Sequence, residues 1–312
     1  MDEWEPSSRG SREVETYGAA EACWYAIGLT PQNAEQEPQP PRVSVVVVSR
    51  NRAELLRKCL ESLERSEGRP SLQIIVVDNG SRDGSGQLDE DFPGAQFVRL
   101  PKNFGLTKAL NIGWRAADAE YVFFLHDDTE VSPTAVLALA EVLDRHPDAA
   151  AVCPLLITES GEPAPQLGHL PPDGEWRPVE APAAHATEPV PVEFPRGAAL
   201  MARVYSIKAI RQIDERYGQF GSDADLATQI LRASKKILLL PSVRVKHLNH
   251  REYTAHEHAD FRLAQAVFAG KYNGFGAGLR KRLASIFAPL LGFRLGELRY
   301  TLAGQKIDGT QE

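Results

Sequence analysis

Tyr121-Val122-Phe123-Phe124-Leu125-His126-Asp127-Asp128-Thr129-Glu130-Val131 contains an apolar run short enough for a buried strand, and the run ends abruptly in two adjacent carboxylates. A strand this hydrophobic belongs inside a sheet, so its polar end emerges at an edge where ligands bind. Hard oxygen donors at such an edge suit a divalent cation that holds a diphosphate. The same pair would also serve as a turn or as the cap of a following helix.

Upstream of this stretch, strands and amphipathic helices alternate. Val43–Val48 is a β-branched run, and Ala53–Arg65 follows with Leu55, Leu56, Cys59, Leu60 and Leu63 at helical spacing. Leu72–Val77 reads as a second strand, Gln87–Asp91 as a brief helix, Gln96–Leu100 as a third strand and Leu106–Ala117 as a helix. Tyr121–Leu125 is the fourth strand, with a helix expected over Pro133–Arg145. Such alternation predicts an α/β fold with a mostly parallel central sheet flanked by helices. Ligands collect beyond the carboxyl ends of such strands. Ser49-Arg50-Asn51, Asp78-Asn79-Gly80 and His126-Asp127-Asp128 are therefore expected to share one crevice.

Downstream, Ala151–Ile157 reads as a further strand, residues 158–193 as a long Pro- and Ala-rich excursion, and Phe194–Val204 as strand again. Ser206–Ile213 and Asp223–Ala233 are expected helices, Ile237–Val245 the last strands, and the tail from Ala259 is helical. Residues 1–41 form an extension or linker with a candidate short helix around Cys23 and Trp24. The division is thus 1–41, a body over 42–258, and a helical C-terminal tail over 259–312.

A chain of 312 residues can bury a substantial core. A net charge of −7 gives no reason to expect nucleic acid as a partner. Three cysteines without metal spacing argue for a reducing, cytoplasmic setting. The acidic start does not read as a secretory signal, and no window has the roughly 20 apolar residues that span a bilayer. The first strand lacks the glycine fingerprint of dinucleotide folds, and no Walker lysine is present, so a bound nucleotide is held by side chains and a metal.

Several motifs occur in order: Val45-Val46-Val47-Val48-Ser49-Arg50-Asn51-Arg52, Ile74-Ile75-Val76-Val77-Asp78-Asn79-Gly80-Ser81, Asn103-Phe104-Gly105 with Asn111-Ile112-Gly113, and the 123–131 segment. Arg196-Gly197-Ala198-Ala199-Leu200-Met201, Ile213-Asp214-Glu215-Arg216-Tyr217, Phe220-Gly221-Ser222-Asp223-Ala224-Asp225-Leu226, Pro241 and Val245-Lys246-His247 follow. The series, spanning about residues 42–250, resembles family 2 of the inverting, nucleotide-sugar-dependent glycosyltransferases, with bacterial rhamnosyltransferase-like members among them. Each motif alone is weak; the ordered set is specific.

The resemblance implies a GT-A fold and a metal-dependent, inverting transfer of sugar from a UDP- or dTDP-sugar to an acceptor hydroxyl on a glycan, a lipid-linked glycan or a small molecule. It places Asp78 at the nucleotide base, with Ser49, Asn51, Asn103 and Asp127 also on the donor. Asp78 would equally serve as a turn-forming residue. Asp128 matches the last carboxylate of the DxD-type motif that holds Mg2+ or Mn2+, with His126 at its first position and His247 able to join the metal shell. Asp223 matches the catalytic base, and it would also suit the N-terminus of the following helix. Ser222 stands where the family usually has Glu, and Asp225 matches a second acidic position that is structural or acceptor-facing. Arg196 is a candidate to neutralise phosphate or to form a surface ion pair.

His247, His250, His256 and His258 fit no structural zinc spacing. The tail Leu279–Ala303 mixes basic and apolar residues; it suits contact with an anionic membrane surface, packing on the body, or a homodimer. Two other readings share these features. One is a non-catalytic homologue acting as a scaffold or partner subunit. The other is a sugar nucleotidyltransferase, which should carry a glycine-rich basic loop that Ser49-Arg50-Asn51-Arg52 is not.

Overall fold

The computed structural model describes residues 40–170, 177–179, 186–248 and 253–307. The helix expected around Cys23, and His250, lie outside them.

The β-branched run forms β1 (Val43–Ser49), and helix α1 (Ala53–Glu64) follows, then β2 (Leu72–Asp78), β3 (Ala95–Arg99), α2 (Leu106–Arg115), β4 (Tyr121–His126) and β5 (Thr129–Val131). Next come α3 (Ala135–Arg145), β6 (Ala149–Ile157), β7 (Leu167–His169), β8 (Arg177–Val179), β9 (Val190–Val192), β10 (Phe194–Pro195) and β11 (Ala199–Arg203). The chain continues through α4 (Val204–Ala209), α5 (Ser222–Arg232), β12 (Lys236–His247), α6 (Ala255–Asn273), α7 (Phe275–Leu291) and α8 (Leu295–Ala303).

The main sheet has the order β3-β2-β1-β4-β11-β6-β12-β5, and β9 also pairs with β12. β3, β2, β1 and β4 run parallel; β11 enters antiparallel between β4 and β6. Both faces are covered, which is why the strands read as unbroken apolar runs rather than alternating ones. Val43, Val45 and Val47 pack into one core with Leu56, Cys59, Leu60 and Leu63 of α1 and with α3. Val46 faces a second core with Ala109 and Trp114 of α2 and with α5. Burying each such leucine contributes about 2 kcal/mol.

Four expected elements differ in the structure, the first being the helix expected over Ser206–Ile213, which runs from Val204 to Ala209. The brief helix expected at Gln87–Asp91 is a 3-10 turn at Gly84–Gln87, because the Asp83 side chain accepts from Ser85 N and starts the turn early. The excursion at 158–193 includes short strands, of which β7 and β8 join β10 in a separate three-stranded sheet. The strand expected over Phe194–Val204 is broken at residues 196–198. In addition, β12 carries three extra residues between Leu240, which pairs with Pro154, and Arg244, which pairs with Leu155. β12 keeps β6 as its neighbour both before and after this bulge, while its other edge passes from β9 to antiparallel β5.

Candidate active site

The register of the parallel strands brings the expected edge together. Ser49 lies opposite Asp78, and Val48 lies opposite both Val77 and His126. The backbone of Asn79 then donates to Ser49 O at 2.8 Å, holding the two strand ends side by side.

Both carboxylates after β4 are buried and partnered. Ser49 Oγ donates to Asp127 Oδ2 at 2.8 Å. Arg52, immediately before α1, donates from Nη1 to Asp127 Oδ1 at 3.0 Å and to Asp128 Oδ2 at 2.9 Å. Burial pushes the Asp127 carboxyl up, with Asp128 adding to the push against Arg52 and Ser49. At Asp128 burial also opposes ionisation, yet His247, His126 and Arg52 outweigh it and hold the carboxyl well below its usual range.

The end of β12 closes on this turn. His247 pairs with Thr129 of β5, and Leu248 N donates to Asp128 O at 2.7 Å. His247 Nε2 consequently stands 3.2 Å from Asp128 Oδ1, and His126 Nδ1 stands 3.8 Å from the same oxygen. One donor atom from each of His126, Asp128 and His247 lies within 4.8 Å of the others, the one grouping of this kind among the described residues. The residues fit a divalent cation on two counts. Asp128 Oδ1 is buried and accepts no aligned hydrogen bond. Desolvation, helped by His247 and Arg52, lowers the His126 pKa to about 4 despite Asp128, so its ring is neutral at pH 7 and available as a ligand. Asp127 is not part of this grouping, because both of its oxygens are engaged by Ser49 and Arg52.

Asp223 approaches from another wall of the same cavity. It sits in the first turn of α5, where the helix N-terminus favours negative charge. Its Oδ2 accepts from Gly197 N at 3.3 Å and its Oδ1 from Ala224 N at 2.8 Å. Burial pushes its pKa above the usual range, and these backbone donors and Arg196 only partly offset that. Asp225, two residues on, is structural. It is fully buried and bonded to Lys271, Tyr272 and Gln229. Arg196 donates to the Tyr253 hydroxyl at 3.3 Å.

The cavity has a volume of about 980 Å³. Its walls include Ser49, Asn103, His126, Asp127, Asp128, Asp223 and His247, so the strand-end residues and the α5 aspartate share one space. Asp78 and Asn51 are not on its walls. Asp78 Oδ1 accepts from Ser81 N at 3.0 Å, and Asn51, at φ 53°, accepts from Arg82 N at 2.8 Å. Both shape the turns that present their neighbours.

Asn79 lines the cavity, as expected of the Asp78-Asn79-Gly80 strand end, and so does Arg52, to which the sequence reading assigns no role. For Arg52 the available signal was a cation at the same strand edge as an acidic pair. Asn79 Nδ2 donates to Asn103 Oδ1 at 3.0 Å, and its Oδ1 accepts from Phe104 N at 2.8 Å. Gly80 permits this approach: it has φ 74°, and a Cβ there would lie 2.4 Å from the Lys102 carbonyl carbon. Arg299, Tyr300 and Lys306 of the C-terminal segment also line the cavity; Arg299 belongs to the basic and apolar tail, which the sequence does not tie to the strand ends.

The model of the family described as Glycosyl transferase family 2 matches residues 44–210. An N-acetylglucosaminyl-diphospho-decaprenol L-rhamnosyltransferase of Mycobacterium tuberculosis is 24% identical over 74% of this chain and 85% of its own length. A poly-beta-1,6-N-acetyl-D-glucosamine synthase of Staphylococcus epidermidis is 31% identical over 35% of this chain and 27% of its own. Among solved structures, GalNAc-T7 with UDP, GalNAc and Mn2+ aligns with a TM-score of 0.62 at 18% identity, over 74% of this chain and 48% of that one. S. aureus TarS 1-349 in complex with UDP-GlcNAc aligns at 0.55 and 16% identity, over 77% and 69%. This chain therefore spans about half the length of the GalNAc-T7 structure, and these two likenesses concern the fold.

Proposed function

This chain belongs to glycosyl transferase family 2, whose model covers more than half of it, and on that premise we propose that it is a metal-dependent, inverting glycosyltransferase using a UDP- or dTDP-sugar. The observation that carries the reading is the shared cavity, with Asp128 and its two histidines on one wall and Asp223 on another.

The donor diphosphate lies over the edge formed by Ser49, Arg52, His126 and Asp128. His126, Asp128 and His247 would hold Mg2+ or Mn2+, which supplies positive charge to offset that growing on the leaving diphosphate. Arg52 fixes both carboxylates in place before any ligand arrives, so the edge is preorganised. Asp223 takes the proton from the acceptor hydroxyl as its oxygen attacks the anomeric carbon. The bond from that carbon to the phosphate oxygen breaks, the nucleoside diphosphate leaves, and the new glycosidic bond has inverted configuration. A base with a raised pKa is better matched to this work than an ordinary aspartate. The acceptor is a glycan, a lipid-linked glycan or a small molecule entering past Arg196, Tyr253 and the C-terminal segment.

Calorimetry with UDP and Mn2+, followed by transfer assays over a panel of sugar nucleotides, tests the reading. Binding that requires Mn2+, together with an Asp223→Asn variant that binds UDP but transfers nothing, is the expected result. A chain that binds no nucleotide would instead be a non-catalytic scaffold.

A further inference from the structure

Helix α7 leaves an apolar stripe uncovered. Phe275, Leu279, Leu283, Phe287 and Leu291 recur every four residues and are between 46% and 83% exposed. Each four-residue step advances about 40° around the helix, so these side chains form a continuous row that winds across its exposed half. The stripe continues into the turn to α8, where Phe293 is 89% exposed and Leu295 also faces solvent. Large apolar side chains gathered in this way mark a contact surface, whereas isolated ones do not.

The helix that carries the stripe is firmly seated on its opposite side. Gly278 of α7 crosses Gly270 of α6 so closely that a Cβ on Gly278 would lie 2.8 Å from the Gly270 Cα. Arg262 of α6 pairs with buried Glu297 of α8, and Arg282 Nη2 donates to Thr301 O at 2.5 Å. Exposure of the stripe therefore belongs to a fixed helical layer.

Charge identifies what covers it. From Phe275 to Ala303 the chain carries Arg280, Lys281, Arg282, Arg294 and Arg299 against the single acid Glu297, although the whole chain has a net charge of −7. Arg280, Arg294 and Arg299 are exposed. Two copies meeting face to face would bring these cations together with their apolar stripes, which repulsion disfavours. An anionic lipid surface offers both complements at once: acyl chains for the stripe and headgroups for the cations. Among the described residues no helix is long and apolar enough to cross a membrane, so α7 would lie along the surface.

We propose that the exposed face of α7, with the turn into α8, docks this protein on an anionic lipid bilayer. Arg299 and Tyr300 of α8 also line the cavity, so docking sets the cavity mouth close to the lipid surface. The docking itself does not depend on which sugar is moved, or on any transfer.

The test is co-sedimentation of the full chain with phosphatidylcholine vesicles, with and without phosphatidylglycerol, at low and high salt. Pelleting with the anionic vesicles, weakened by salt, is expected. A Leu283→Glu, Phe287→Glu variant should lose it about tenfold or more, and Arg280→Glu alone should weaken it severalfold. These positions are exposed and lie outside the cavity, so melting temperature and UDP binding should be unchanged. Equal pelleting of wild type and variants, or no preference for anionic vesicles, overturns the proposal. It is also overturned if light scattering shows a dimer that Leu283→Glu, Phe287→Glu dissociates, because the face would then belong to a second copy. Vesicle binding without UDP binding would uphold docking while removing the functional reading.

Discussion

Arg52 Nη1 lies 2.9 Å from Asp128 Oδ2, so the aspartate expected to hold a cation already has a cation of the protein's own. The same nitrogen reaches Asp127 at 3.0 Å, which gives two adjacent buried carboxylates one shared positive charge. Asp128 Oδ1 points the other way, towards the histidines. One oxygen is thus tied to the protein scaffold and the other is left for a ligand.

Replacing Arg52 with Ala strands both carboxylates. About 3 kcal/mol of stability should be lost, the low end for breaking a buried pair, since Arg52 keeps about a quarter of its side chain exposed. Urea melts of the variant with and without Mn2+ should differ more than those of wild type, because a bound cation replaces part of the missing charge.

His247→Ala removes one of three donors facing the cation position. Mn2+ affinity should fall at least about tenfold, measured by calorimetry, while Lys246 and the β12 pairing remain in place.

The acid limb of the transfer rate should report Asp223. Its active form is ionised, so activity is lost as pH falls through its pKa, which burial raises above the usual value of roughly 4. A pH–rate profile should place that limb above an ordinary aspartate. Asp223→Asn should lower the turnover number about a hundredfold or more, with UDP affinity retained.

Lys271 of α6 ties the C-terminal layer to the helix that bears Asp223. Its Nζ reaches Asp225 Oδ1 at 2.7 Å and Asp214 Oδ2 at 2.8 Å, and Asp225 is fully buried. Lys271→Ala should cost about 3 kcal/mol and expose α6 to proteolysis. At Asp214 burial is outweighed by Arg216 and Lys271, which hold its carboxyl below the usual range. The stability this contributes is present above roughly pH 4 and lost as pH falls towards the depressed folded value. The variant should therefore lose less stability than wild type across that acid window.

The parallel half of the sheet could be read directly, because runs such as Val43–Val48 and Tyr121–Leu125 are buried on both faces and have no other use for so many β-branched and aromatic residues. Strand ends then located Ser49, His126 and Asp128 without any knowledge of pairing. Arg52 was not legible in the same way: its partners lie 75 and 76 positions away, and a charged residue before a helix has many ordinary uses. Asn79 lines the cavity and bonds to Asn103, 24 positions away, a pairing that no spacing in the sequence announces. Strands β7, β8 and β9 escaped notice because three residues in a Pro-rich stretch show no period.

The bulge in β12 has a consequence for how this chain can vary. Arg244 to His247 are fixed by their pairing with β6 and β5, so a residue gained or lost among the unpaired Pro241, Ser242 and Val243 changes only the size of the bulge and leaves the imidazole of His247 beside Asp128. Within the paired segment the opposite holds, because a one-residue slip among Arg244 to Lys246 would carry the ring to the other face. Natural variants of this protein should accordingly absorb single-codon gains or losses at the kink far better than in the paired residues that follow it.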